Sequence, residues 1–221
     1  MVKTRVLPAT LCLAALALAS TSLFAQDNKV APLVTIVEGS PIIHKAEAPP
    51  PGVIKLYSNL GTGSDVYYSS EGWTISGLES IIGAQQAIGL AYTPSADSTI
   101  EGVQVGVGYV TGANTVAVAI FSDENDAPGK PLKVWNPINL PTFGTCCTLV
   151  TVKDAAGIKV AAGTQYWLVV GTDTESETTW DAWNFSYNQV SGTISVYTSG
   201  SGVWTTQTTT LPAAAIYGST P

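Results

Sequence analysis

The stretch Asn114–Trp135, NTVAVAIFSDENDAPGKPLKVW, decides the fold. Val116, Val118 and Ile120 share one side of a strand, because side chains on a pleated backbone alternate with period two. Ala117, Ala119 and Phe121 between them are apolar as well. A strand apolar on both faces belongs inside a sheet that is covered, at least partly, on both sides. Ser122–Asp126 (SDEND) stops the apolar run, and Pro128-Gly129-Lys130-Pro131 keeps it from resuming. Asp and Asn bond their own backbone, Gly supplies positive φ, and Pro removes a donor, so the spacing predicts a turn. Leu132–Trp135 is then the returning strand.

The same acidic turn is the one candidate metal site. Asp123, Asn125 and Asp126 cluster there with Glu124, and calcium takes six to eight oxygen ligands. The EF-hand spacing, with its central Gly and distal Glu, is absent. A solvated turn without metal is the expectation, with calcium as the ion such a turn would hold.

Outward from this hairpin the chain reads as further short strands. Ile54–Asn59, Trp73–Ile75 and Gln85–Tyr92 lie before it, with a loop predicted over Gly61–Gly72. Ser98–Val110 is the longest alternating run: Val103, Val105, Val107 and Tyr109 share one face, and Gln104, Gly106 and Gly108 the other. A face of glycines suits close approach of a second layer. Thr148–Lys153, Ile158–Val160, Gln165–Gly171, Thr178–Phe185, Thr193–Thr198 and Ala213–Tyr217 follow, with a tight turn at Ala161–Thr164. Leu78–Gln86 offers at most one helical turn. Short strands punctuated by Gly, Pro, Asn and Ser predict an all-β, two-layer antiparallel β-sandwich.

The first residues carry a different message. Lys3 and Arg5 precede an apolar run, Val6–Ala19, and small residues up to Ala25. That order predicts a secretory signal peptide over residues 1–25, and the run is too short for a membrane span. Residues 26–52 form an extension in which Leu33–Val37 is a candidate strand and Pro49-Pro50-Pro51 a stiff linker. The sandwich is expected over residues 53–221. Without the leader, seven lysines and no arginine face sixteen acidic residues, a net charge of about −9. Such a surface excludes phosphate-backbone binding, which needs basic contacts, so nucleic acid is not an expected partner.

The chemistry-bearing residues are sparse. The single histidine, His44, sits beside the linker, so neither a Ser-His-acid triad nor a His/Cys zinc site is available to the sandwich. Paired carboxylates are the remaining enzymatic option: Glu175 or Glu177 with Asp181 defines a cryptic glycan-active reading. Cys146 and Cys147 are adjacent in an exported chain, where a vicinal disulfide is the favoured state over free thiols or pairing with another molecule. The binding candidates are Trp180, Asp181, Trp183 and Asn184. Sugar rings stack on aromatic planes while Asp and Asn take hydroxyls. Trp180 and Trp183 are three residues apart, so a strand sends them to opposite faces.

Four segments taken in order, NLGTGSDVYYSSEGWTISG (Asn59–Gly77), IFSDENDAPGKPL (Ile120–Leu132), AAGTQYWLVV (Ala161–Val170) and IYG (Ile216–Gly218), resemble the bacterial exported domains called the choice-of-anchor family, most closely its R type. The resemblance implies a jelly-roll-like sandwich on a secreted or surface-anchored protein, with no catalytic residues to transfer. Such domains commonly precede a sorting signal. This chain closes on Gly218-Ser219-Thr220-Pro221, so free secretion is expected. The reading is therefore a non-enzymatic domain for cell-surface or extracellular-matrix interaction, with surface protein or polysaccharide as partner. A carbohydrate-binding module is the alternative.

Overall fold

The computed structural model describes residues 34–35, 53–173 and 176–221. The signal peptide, most of the extension with its linker and His44, and Glu175 lie outside the described residues. The strands are β1 (Val34–Thr35), β2 (Ile54–Ser58), β3 (Tyr67–Ser76), β4 (Gln86–Tyr92), β5 (Ser98–Val105), β6 (Val107–Thr111) and β7 (Ala117–Asp123). Then come β8 (Pro128–Trp135), β9 (Val150–Val160), β10 (Tyr166–Gly171), β11 (Trp180–Ser186), β12 (Ser191–Thr198), β13 (Trp204–Thr210) and β14 (Ala214–Ser219).

Among the described residues there is no helix, and these strands make two antiparallel sheets. The smaller runs β2-β14-β5-β9; the larger runs β6-β11-β3-β4-β10-β7-β8, with the β12–β13 hairpin pairing onto β4. β14 lies between β2 and β5, and β11 between β3 and β6. Late strands thus nest between early ones, as in a jelly roll. The inner faces meet in one core, where Ile100, Val103 and Ile216 of the smaller sheet join Ile75, Leu90, Val118, Ile120 and Leu168 of the larger.

Several sequence expectations change here. The run Ser98–Val110 is two strands in different sheets, and the chain crosses between them at Gly106. A Cβ on Gly106 would stand 3.0 Å from the Tyr67 ring, so a side chain at this crossing would have to displace that ring. Gly108 is covered closely by Phe143, whose Cα would lie 2.8 Å from an added Cβ. The thin face therefore accepts a second layer of the protein itself.

Tyr67 and Tyr68 open β3 rather than sit in a loop, and Thr148–Val160 holds one long bulged strand, β9. Leu78–Gln85 forms turns, and Gln86 opens β4. The strand after the acidic turn resumes at Pro128, four residues earlier than expected. β8 ends the strand path, and an edge strand tolerates Pro128 and Pro131 because it has an unpaired side. Of the candidate strand Leu33–Val37, Val34 and Thr35 pair with Gly72 and Glu71.

Candidate functional site

The four binding candidates of the sequence do not form a site. β11 is an interior strand between β3 and β6. Trp183 is fully buried in the core, its indole Nε1 donating to the Ala213 carbonyl at 2.9 Å. Asn184 is buried too, and its Nδ2 donates to the carbonyls of Tyr68 (3.2 Å) and Ser69 (3.1 Å) where the β3–β11 register slips. Asp181 has no exposure, and its Oδ1 accepts from the Val110 N–H at 3.1 Å. Val110 is the extra residue of a bulge, between the pairs Trp180↔Thr111 and Asp181↔Tyr109. The carboxyl thus takes the N–H that the ladder leaves unpaired. Its Oδ2 is buried without a partner, and burial pushes the pKa up to about 8.

Only Trp180 keeps partial exposure, on the opposite face as its spacing predicts, packed with Val110 against Phe143 and Ala182. Asp181, Trp183 and Asn184 are thus interior, and the polar groups of Asp181 and Asn184 satisfy bulges. Of the two proposed acid pairs, only Glu177 with Asp181 falls on described residues. Glu177 is exposed while Asp181 is interior, so the two do not share a cleft.

The acidic hairpin tip is a tightly bonded turn. Asn125 (φ 57°) and Asp126 (φ 60°) are both left-handed, and the Glu124 N–H donates to the Ala127 carbonyl at 2.8 Å, the signature of a type I′ turn. Asp123 Oδ1 accepts from the indole of buried Trp167 and from the Gln165 amide, each at 2.7 Å. Among the described residues no three His, Cys, Asp or Glu side chains converge on one point. Asp123→Ala is expected to cost about 2 kcal/mol, because it leaves a buried indole N–H without an acceptor. Urea denaturation checks this, and adding calcium to the wild-type protein should leave the midpoint unchanged.

Cys146 and Cys147 are joined as a vicinal disulfide. Their loop is fixed by Tyr67, whose hydroxyl bonds the Thr145 and Thr148 carbonyls and accepts the Thr148 N–H.

A groove lies instead on the outer face of the larger sheet. Towards the Ala117 end of β7, and on β10 and β4 beside it, several of the residues that alternate with the core are small. Ala117 stands opposite Gly171, Ala119 opposite Val169, and Val169 opposite Gly89. A Cβ on Gly171 would lie only 2.8 Å from the Cβ of Ala87, which completes this row. The row Ala117–Gly171–Ala87 is therefore a trough with almost no side chain in it. It continues sideways into Tyr197, paired with Ala87, and Trp204, paired with Tyr197.

The walls rise on both sides. Phe121, Pro131 and Val134 stand on β7 and β8, and Tyr197 and Trp204 on β12 and β13, around a groove of about 400 Å³. The two rings of the second wall are 5.5 Å apart and tilted by 54°. At one end the β7–β8 tip arches over the sheet. Pro128 sits above Gly89, and the Thr206 hydroxyl donates to the Asp126 carbonyl at 2.7 Å. Polar groups line the groove too. Gln85 Nε2 donates to Thr172 Oγ1 at 3.3 Å, and the Asp173 carboxylate accepts from Asn136 Nδ2 at 2.8 Å.

A larger cleft, about 540 Å³, runs between Ser98, Lys159, Tyr166 and Ser219. Its lining is strand ends and the last residues of the chain, with one aromatic ring. The groove is the better-built site.

Nothing in the local sequence marks Phe121, Tyr197 or Trp204 as residues of one site. The available signal was the repeated small residue on the register that alternates with the core, in QAIGLAY and VAVAIF. No family model matches the chain, and neither characterised proteins nor solved structures provide a match to it.

Proposed function

We propose that the chain is an exported, non-enzymatic β-sandwich domain that acts in cell-surface or extracellular-matrix interaction, and that the groove is its contact face. The observation that carries this reading is the construction of the groove itself. Three adjacent interior strands place Ala, Gly and Ala side by side where larger residues would close the surface, and aromatic residues on flanking strands raise walls around them. Burial of Phe121, Tyr197 and Trp204 in the core would stabilise the fold by more than leaving them partly exposed. We read their clustering around one trough, outside the core, as a contact surface.

Two further features support the reading. The leader sequence at residues 1–25 fits export. Asp173, the carboxylate on the groove, is held by Asn136 and by the Ser176 hydroxyl (2.9 Å), an arrangement suited to orienting a ligand. Among the described residues no helix is long and apolar enough to cross a membrane.

The test is retention of the secreted protein on extracellular matrix prepared from bacterial cells. Ala117→Trp fills the trough from a partly exposed position. It should lower retention at least tenfold while the urea midpoint moves little. Retention that survives this filling, in a folded variant, would place the contact elsewhere.

A further inference from the structure

Resting on the reading of the groove as a contact face, we propose that its ligand is a neutral saccharide, stacked on Tyr197 and Trp204 and hydrogen-bonded by Gln85, Thr172 and Asp173. Four observations select this chemistry.

First, the floor is the face of interior strands, whose backbone N–H and C=O groups are paired in the ladders on both sides. An extended peptide binds a sheet through main-chain bonds at an edge, and the floor strands β7, β10 and β4 are interior. Recognition must run through side chains.

Second, those side chains are flat rings beside an almost bare trough. The C–H faces of a pyranose lie on aromatic planes, and the trough leaves depth for the rest of the ring. Two rings tilted by 54° present two platforms at an angle, as successive twisted residues of a glycan require.

Third, the polar groups come as amide–hydroxyl and amide–carboxylate pairs. A hydroxyl both donates and accepts, so sugar hydroxyls can bridge Gln85 to Thr172 and Asn136 to Asp173. A wholly apolar ligand would strip water from these groups and offer no hydrogen bond in return.

Fourth, among the described residues no Lys or Arg lines the groove, which carries Asp173 on a chain of net negative charge. An anionic saccharide would meet like charge without compensation, so the sugar is neutral. The volume, about 400 Å³, is within the size of small-ligand sites.

The experiment is calorimetric titration of the secreted protein with neutral hexasaccharides from β-1,4-glucan, β-1,3-glucan, xylan, mannan and chitin. Oligogalacturonate serves as the anionic probe and an apolar naphthalene sulfonate dye as the apolar one. At least one neutral hexasaccharide should bind. Trp204→Ala should weaken it tenfold or more, Asp173→Asn several-fold, and Trp180→Phe, outside the groove, not at all. Ala117→Trp, which adds bulk rather than removing a ring, should abolish the same binding and guards against a misfolded Trp204→Ala. Dye or galacturonate binding lost in Ala117→Trp, with no neutral sugar bound, would keep the groove as a contact face and overturn the saccharide. Sugar binding indifferent to Trp204→Ala and Ala117→Trp would overturn the assignment to this groove. Binding of none of the probes would overturn the saccharide, while matrix retention lost in Ala117→Trp would still uphold the groove.

Discussion

Replacing Asp181 by Asn is expected to raise stability at pH 8 by several kcal/mol and to flatten its dependence on pH. The carboxyl is fully buried, one oxygen has no partner, and its pKa stands at about 8 rather than 3.8. A raised folded-state pKa means that the native state binds the proton more tightly than the unfolded chain. Below about pH 4 both states are protonated and the contribution is fully present. Between about pH 4 and 8 the unfolded state ionises while the native state does not, so stability falls by about 1.4 kcal/mol per pH unit. Above pH 8 the loss is complete. Asparagine keeps the oxygen that accepts from Val110 and has nothing to ionise. Asp181→Ala instead orphans the Val110 N–H, and should cost about 1–3 kcal/mol even at pH 4. Urea midpoints of the three proteins from pH 4 to 9 check both statements. A flat wild-type profile would show that solvent reaches this carboxylate.

Trp183→Ala is expected to destabilise the protein by about 4 kcal/mol, enough to unfold a marginal domain. The indole is fully enclosed among residues of both sheets and caps the Ala213 carbonyl. Truncation opens a cavity and removes that bond together. Trp183→Phe should cost less, because the ring volume is partly retained while the carbonyl loses its donor. Thermal and urea unfolding of both variants measure the difference. A folded Trp183→Ala of near-native stability would mean that the strand is not packed as described.

The contrast between Trp183 and Trp204 explains how much could be read in the sequence. Alternation marks which face of a strand is apolar, and it located most strands, including Ala117–Asp123 and Tyr166–Gly171. It could not reveal the crossing at Gly106. Val103 and Val105 of the smaller sheet and Val107 of the larger face the same core, so the alternation runs on unbroken while the chain changes layers. Trp204–Thr210 (WTTQTTT) escaped notice for the opposite reason. Its threonines favour strands, yet no apolar rhythm accompanies them, because the hairpin lies over a largely exposed face.

The site was hidden more deeply. Trp180, Asp181, Trp183 and Asn184 are adjacent in sequence and mix aromatic with polar groups, the composition of a sugar site. Two register slips claim the polar groups, and the core claims Trp183. The groove draws its residues from β4, β7, β8, β10, β12 and β13. Nothing local links Ala117 to Gly171 or Ala87 to Tyr197; only the pairing of strands does.

The most direct test of the central claim, that this outer face and not the β11 aromatics meets the ligand, is amide chemical-shift mapping during titration with the neutral hexasaccharides. The shifts are expected to concentrate at Ala87, Ala117, Gly171, Tyr197 and Trp204, and to leave Trp180–Asn184 unmoved. Shifts centred on Trp180, Asp181 and Asn184, with Gly171 and Trp204 silent, would contradict it.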